Sequence, residues 1–130
     1  MERLKERIEM ATKALSAFRE IIHYHEVNDI VRDAAIQRFE FTFEASWKAA
    51  KQYLYDIEGL DLGSPKGVIR CCREVGLLSD DETILALKMV DNRNLTVHTY
   101  NEELSLEIFQ QLPAYLDFIE KWLKQIEKRC

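Results

Sequence analysis

Apolar residues recur at alternating four- and three-residue steps over Glu2–Tyr24, where Leu4, Ile8, Ala11, Leu15, Phe18 and Ile22 form one stripe opposite charged residues. That period predicts an amphipathic helix. His23, His25, Asn28 and Asp29 break it, and Asn28 or Asp29 suits the N-cap of a second helix. This longer helix is predicted from about Ile30 to Glu58, stopping at Gly59. It carries two stripes: Ile36, Phe39, Phe43, Trp47, Ala50 and Leu54, and beside them Ala34, Phe41, Ala45 and Ala49. A helix apolar over more than one face needs more than one neighbour. A central place in a bundle supplies one, and a subunit interface would supply another.

The stretch Leu60–Gly67 is the one Gly/Pro-rich connection. Ser64 before Pro65 reads as N-cap then N1 of a short helix ending near Gly76. Asp80 or Asp81 is expected to cap the next helix, which holds Ile84, Leu85, Leu87 and Met89 and ends within Asn92–Tyr100. Thr99 with Glu102 has capping-box spacing and Asn101 is a second cap candidate. A last helix then runs to the C-terminus with Leu104, Ile108, Leu112, Tyr115, Ile119, Trp122 and Ile126 in register. Pro113 inside it should kink it or remove one backbone bond. No strand-like alternation is present. The pattern predicts an all-α, antiparallel up-down bundle of four main helices and one short one, as a single domain over 1–130.

Composition narrows the function. A net charge of -5 argues against finding nucleic acid by bulk electrostatics, though not against RNA held at one local site. No apolar run approaches the roughly 18–20 residues of a membrane span, and no signal peptide opens the chain. Cys71, Cys72 and Cys130 are odd in number and match no zinc spacing, so a reducing cytoplasm is the expected setting. His23 and His25 point apart on a helix and read as a solvated helix end; no metal or cofactor is expected. Phosphate-loop, GxSxG and HExxH signatures are absent. The acidic run Asp80–Glu82 is explained by first-turn charge at a helix N-terminus.

One string differs: Asp91-Asn-Arg-Asn-Leu-Thr-Val-His-Thr-Tyr100 places a guanidinium, two amides, an imidazole and a phenol at a helix junction. Arg93 and His98 lie about 140° apart on an unbroken helix. They can converge if it loosens near the β-branched pair Thr96-Val97. Histidine can move the protons of phosphodiester cleavage, and arginine can stabilise a phosphorane-like transition state without metal. The same two residues equally suit a capping and salt-bridge cluster that ties the junction together. RNA affinity would need a patch around Arg93, with Lys66, Arg70, Arg73 and Lys88 as candidates.

The string Arg93–Tyr100 resembles the Arg-x4-His-x-Tyr motif of HepT-like proteins in the HEPN superfamily, many of which are described as substrate-binding subunits of a split nucleotidyltransferase. Gln37–Lys48 resembles the family's second helix, and Ser64–Lys66 through Gly76-Leu77 its short third helix, so the likeness spans the chain in order. The resemblance implies a homodimeric bundle and a metal-independent endoribonuclease, the toxin of a type VII-like toxin–antitoxin pair. By that analogy Arg93 and His98 are catalytic in a composite cleft on the dimer axis, and Asn94 orients phosphate. A cognate minimal nucleotidyltransferase antitoxin would add AMP to Tyr100, setting negative charge beside the RNA cleft. The alternative within the family is a non-catalytic substrate-binding subunit of a two-chain nucleotidyltransferase.

Overall fold

The structure is a computed structural model of the chain and describes residues 1–24 and 26–130. Five α-helices occur in order: α1 Glu2–Ile22, α2 Asp29–Glu58, α3 Pro65–Glu74, α4 Asp80–Leu95 and α5 Glu102–Lys128, with a 3-10 turn Thr96–His98 between α4 and α5. The described residues contain no strand, as the periodicity implies. His25 lies outside them, so the expectation for the His23/His25 pair reduces to His23, whose Nδ1 donates to the Arg19 carbonyl at 2.8 Å as a helix end.

Helix α1 packs most extensively on α2, and α5 lies against both. The core stripe of α2 behaves as its spacing predicts except at Trp47, which is only half-buried. Ile36, Phe39, Phe43, Ala50 and Leu54 are buried, and Phe39 stacks on Tyr115 of α5 with ring centroids 5.5 Å apart. The second stripe is only partly covered. Ala49 is buried, but Phe41 is 61% exposed. Helix α3 fills the space between α2 and α4, while α4 reaches α5 through Lys88 to Gln111 and Asn92 to Tyr115.

Helix ends obey local chemistry. Asn28 caps α2, accepting from Val31 N–H at 2.9 Å, and Gly59 closes it at φ +71°, a left-handed conformation that costs glycine little. Ser64 caps α3 with Pro65 next to it, as expected, and the helix stops two residues before Gly76 (φ +79°). The cap of α4 is a correction: neither Asp80 nor Asp81 caps it. Ser79 Oγ accepts from Glu82 N–H at 3.2 Å while the Glu82 carboxylate accepts from Ser79 N–H at 2.8 Å, a reciprocal capping box. Asp80 and Asp81 sit in the first turn. The start of α5 uses the second candidate, Asn101, which accepts from Leu104 N–H at 3.2 Å; Thr99 with Glu102 forms no such box. Helix α5 continues through Pro113, which is exposed, so water can satisfy the carbonyl that proline leaves without a donor.

No helix of the described residues is long and apolar enough to cross a membrane.

Candidate functional site

Helix α4 loses its α geometry at Thr96, and the 3-10 turn Thr96–His98 carries the chain to Asn101. The loosening expected near Thr96-Val97 is therefore present. What it brings together is more specific than the spacing suggested. Arg93 stands in the last turn of α4, half-buried, with Nη1 donating to Thr96 Oγ1 at 3.3 Å. Thr96 is buried and its hydroxyl donates to the Arg93 carbonyl at 2.7 Å. The Arg93 Nε is buried without a partner. His98 is exposed and meets Tyr100: the phenol oxygen lies 3.4 Å from His98 Nδ1, and the rings meet edge to face at 5.9 Å. Tyr100 is 86% exposed.

Within one copy the string thus divides into two contacts. Arg93 turns to Thr96, and His98 turns to Tyr100; no hydrogen bond among the described residues joins Arg93 to His98. Asn94 is exposed beside them. Asn92 points the other way, accepting from the Tyr115 hydroxyl, and burial pushes that phenol up to about 12, with Asp91 adding to the effect. Asn92 and Tyr115 therefore fix the end of α4 on α5.

The cationic patch is thinner than the sequence allowed. Lys66 is held by Asp91 at 2.7 Å and Arg73 by Asp80 at 3.8 Å, while Lys88 donates to Gln111. Arg70 is exposed. Sequence reasoning missed Arg32. It is buried in the first turn of α2, with Asp29, Asp33 and Glu102 carboxylates at 3.5–3.9 Å, and so joins the start of α2 to the start of α5 just after Tyr100. The signal was present: Arg32 stands four residues before Ile36, on the buried stripe.

No cluster of three or more His, Cys, Asp or Glu that could hold a metal occurs among the described residues. Cys71 and Cys72 are both buried, and burial pushes the Cys72 thiol up to about 12, which leaves it protonated and inert.

The string also carries an apolar side chain at the surface: Val97 is 68% exposed.

The family described as "nucleotidyltransferase substrate binding protein like" matches residues 6–128. A Haemophilus influenzae protein named "Probable ribonuclease HepT" is 33% identical over 107 residues, 79% of this chain and 72% of that protein. Among solved structures, a Thermus thermophilus protein is 56% identical, covering 90% of this chain and 98% of its own, with TM-score 0.87. A Shewanella oneidensis HEPN toxin, solved tri-AMPylated in complex with an MNT antitoxin, shares the fold at TM-score 0.77 and 18% identity, covering 96% of each chain. A match across nearly the whole chain leads to one assignment: the chain belongs to the nucleotidyltransferase substrate binding protein-like family, as a HepT-like protein.

Proposed function

We propose that the chain is a metal-independent endoribonuclease toxin in which Arg93 and His98 carry the chemistry. The observation that carries this reading is the placement of an exposed imidazole one turn beyond a guanidinium whose own Nε has no partner. The His98 imidazole takes the proton from a ribose 2′-OH, and the 2′-oxygen attacks the adjacent phosphorus. The P–O5′ bond breaks and the 5′-oxygen leaves taking a proton from the His98 imidazolium or from water, giving a 2′,3′-cyclic phosphate. Arg93 donates to the non-bridging oxygens as their charge grows, and Asn94 orients the phosphate. The relative named a ribonuclease supports this reading.

Because Arg93 and His98 face different neighbours within one copy, a second copy would complete the cleft. Val97, exposed within the string, supplies apolar area for such a homodimer. The partner of the toxin is a nucleotidyltransferase antitoxin that silences it on Tyr100, whose ring is largely exposed. The phenol oxygen attacks the α-phosphorus of ATP, pyrophosphate leaves, and the phenolic proton passes to solvent or to a base of the partner. AMP then sits against His98, repels RNA phosphate and removes the hydroxyl proton that faces Nδ1.

The test is cleavage of RNA in EDTA by protein shown by intact mass to be free of AMP, beside His98→Ala at matched helicity. The reading expects cyclic-phosphate ends that vanish in the variant. Absence of cleavage by the wild type overturns it in favour of a substrate-binding subunit. That second reading has its own support: a Haemophilus influenzae structure at 25% identity was described as the fold of a substrate binding domain of a nucleotidyltransferase.

A further inference from the structure

Far from the Arg93–Tyr100 string, the first two turns of α1 and the second half of α2 enclose a cleft of about 430 Å³. Trp47, on its wall, lies about 22 Å along α2 from Arg32, the α2 residue that contacts the start of α5. The cleft is lined by Arg3, Arg7, Lys48 and Lys51 together with Trp47 and Tyr55. Its one carboxylate is Asp61. Four cations against one anion is the reverse of the chain as a whole, whose net charge is -5. Lys48 is partly neutralised by Glu44 at 3.3 Å, an exposed pair of little strength.

Two further observations point to a ligand. The Nε of Arg7 and the indole Nε1 of Trp47 are buried with no hydrogen-bond partner, and both residues line this cleft. Buried donors left unpaired are costly, and a turn of either side chain toward the cleft would give its donor an acceptor on a ligand there. Tyr55 holds its ring 58% exposed at the same wall, where burial against the core would have been the cheaper place for an aromatic. The volume falls within the roughly 300–1,000 Å³ of clefts that hold small ligands.

We propose that this cleft is a nucleotide-binding site, distinct from the Arg93–His98 junction and independent of the activity proposed there. The phosphate sits on Arg3, Arg7 and Lys51, and the base lies against the Trp47 and Tyr55 rings. Guanidinium and ammonium groups match phosphate oxygens, and aromatic faces accept any base by stacking. The same chemistry is offered by a free nucleoside monophosphate and by one nucleotide of a single-stranded RNA.

Trp47 reports on the site directly, because the other tryptophan, Trp122, is 1% exposed in the core. Tryptophan emission of the full chain is titrated with AMP, with adenosine, and with a short single-stranded oligoribonucleotide, at low and high salt. The proposal expects saturable quenching by AMP or the oligonucleotide that weakens with salt, and much weaker quenching by adenosine. The exposed-side double variant Arg3→Gln/Lys51→Gln, checked for unchanged helicity, should weaken binding about tenfold or more. Trp47→Phe should remove the signal. Tighter quenching by AMP assigns a free nucleotide, and tighter quenching by the oligonucleotide assigns an RNA strand. Absence of saturable quenching by either, or unchanged affinity in the folded double variant, overturns the proposal.

Discussion

The Thr96 hydroxyl holds Arg93 at two points: Oγ1 donates to the Arg93 carbonyl at 2.7 Å and accepts from the guanidinium at 3.3 Å. One side chain thereby ends the α-helix and aims the cation. Thr96→Val keeps the shape and removes both bonds. Because Thr96 is buried, the loss should cost about 1–2 kcal/mol of stability. RNA cleavage should fall further than stability explains, since the guanidinium is no longer held. Thr96→Ser, which keeps the hydroxyl, should restore cleavage. Urea titration and cleavage rates on the three proteins check this; equal rates in Val and Ser variants would remove Thr96 from any positioning role.

Tyr100 carries a separate expectation. Its ring is exposed and its hydroxyl touches only His98 at a long 3.4 Å, so Tyr100→Phe should leave folding unchanged and cleavage within a few-fold of wild type. Under the proposed function, what the variant loses is the oxygen that would accept AMP. Co-expressed with a nucleotidyltransferase antitoxin, it should stay unmodified by intact mass and remain toxic. A mass increase of one or more AMP units on the Phe variant would place the modification elsewhere.

Much of the fold could be read from spacing alone because the apolar steps of α1, α2 and α5 each mark a single line along a helix. Leu4, Ala11, Leu15 and Phe18 are buried where their register puts them, and so are Ile108, Leu112, Tyr115, Ile119, Trp122 and Ile126. The string Asp91–Tyr100 stood out as a candidate in the same way, since its polar side chains lie within ten consecutive residues. What spacing could not supply was partners distant in sequence. Arg32 owes its burial beside Glu102 to the meeting of two helix starts about 70 residues apart, and Asn92 turns inward because Tyr115 waits there. Competition between adjacent candidates was the other blind spot. Ser79, Asp80 and Asp81 are all good caps, and only the reciprocal bond from Glu82 selects the serine.

That selection is measurable. Ser79→Ala removes the acceptor for Glu82 N–H and should lower stability by about 1 kcal/mol. Asp80→Ala should do far less. The Asp80 side chain is exposed and its contact with Arg73 is 3.8 Å long, so solvent screens most of what it contributes. Urea midpoints for the two variants, compared at one pH, should therefore differ clearly. Equal losses would return the cap to the aspartate.

Alkaline pH should unfold the protein through groups that cannot ionise where they are. Cys72 is fully buried and its thiol is pushed from 9.0 to about 12 by burial; Tyr115 moves in the same direction. A raised folded-state value for an acid means that the unfolded chain releases its proton first. The contribution of Cys72 is therefore complete below pH 9 and is lost between pH 9 and 12, at about 1.4 kcal/mol for each pH unit. Cys72→Ala should flatten the fall in urea midpoint across that window, at the cost of a small cavity that lowers stability equally at all pH values. Thiol reactivity gives the kinetic counterpart: at pH 8 the exposed Cys130 should label first, while buried Cys71 and Cys72 wait for unfolding. If Cys72 labels in the native state as fast as Cys130, its burial, and the alkaline instability derived from it, are both wrong.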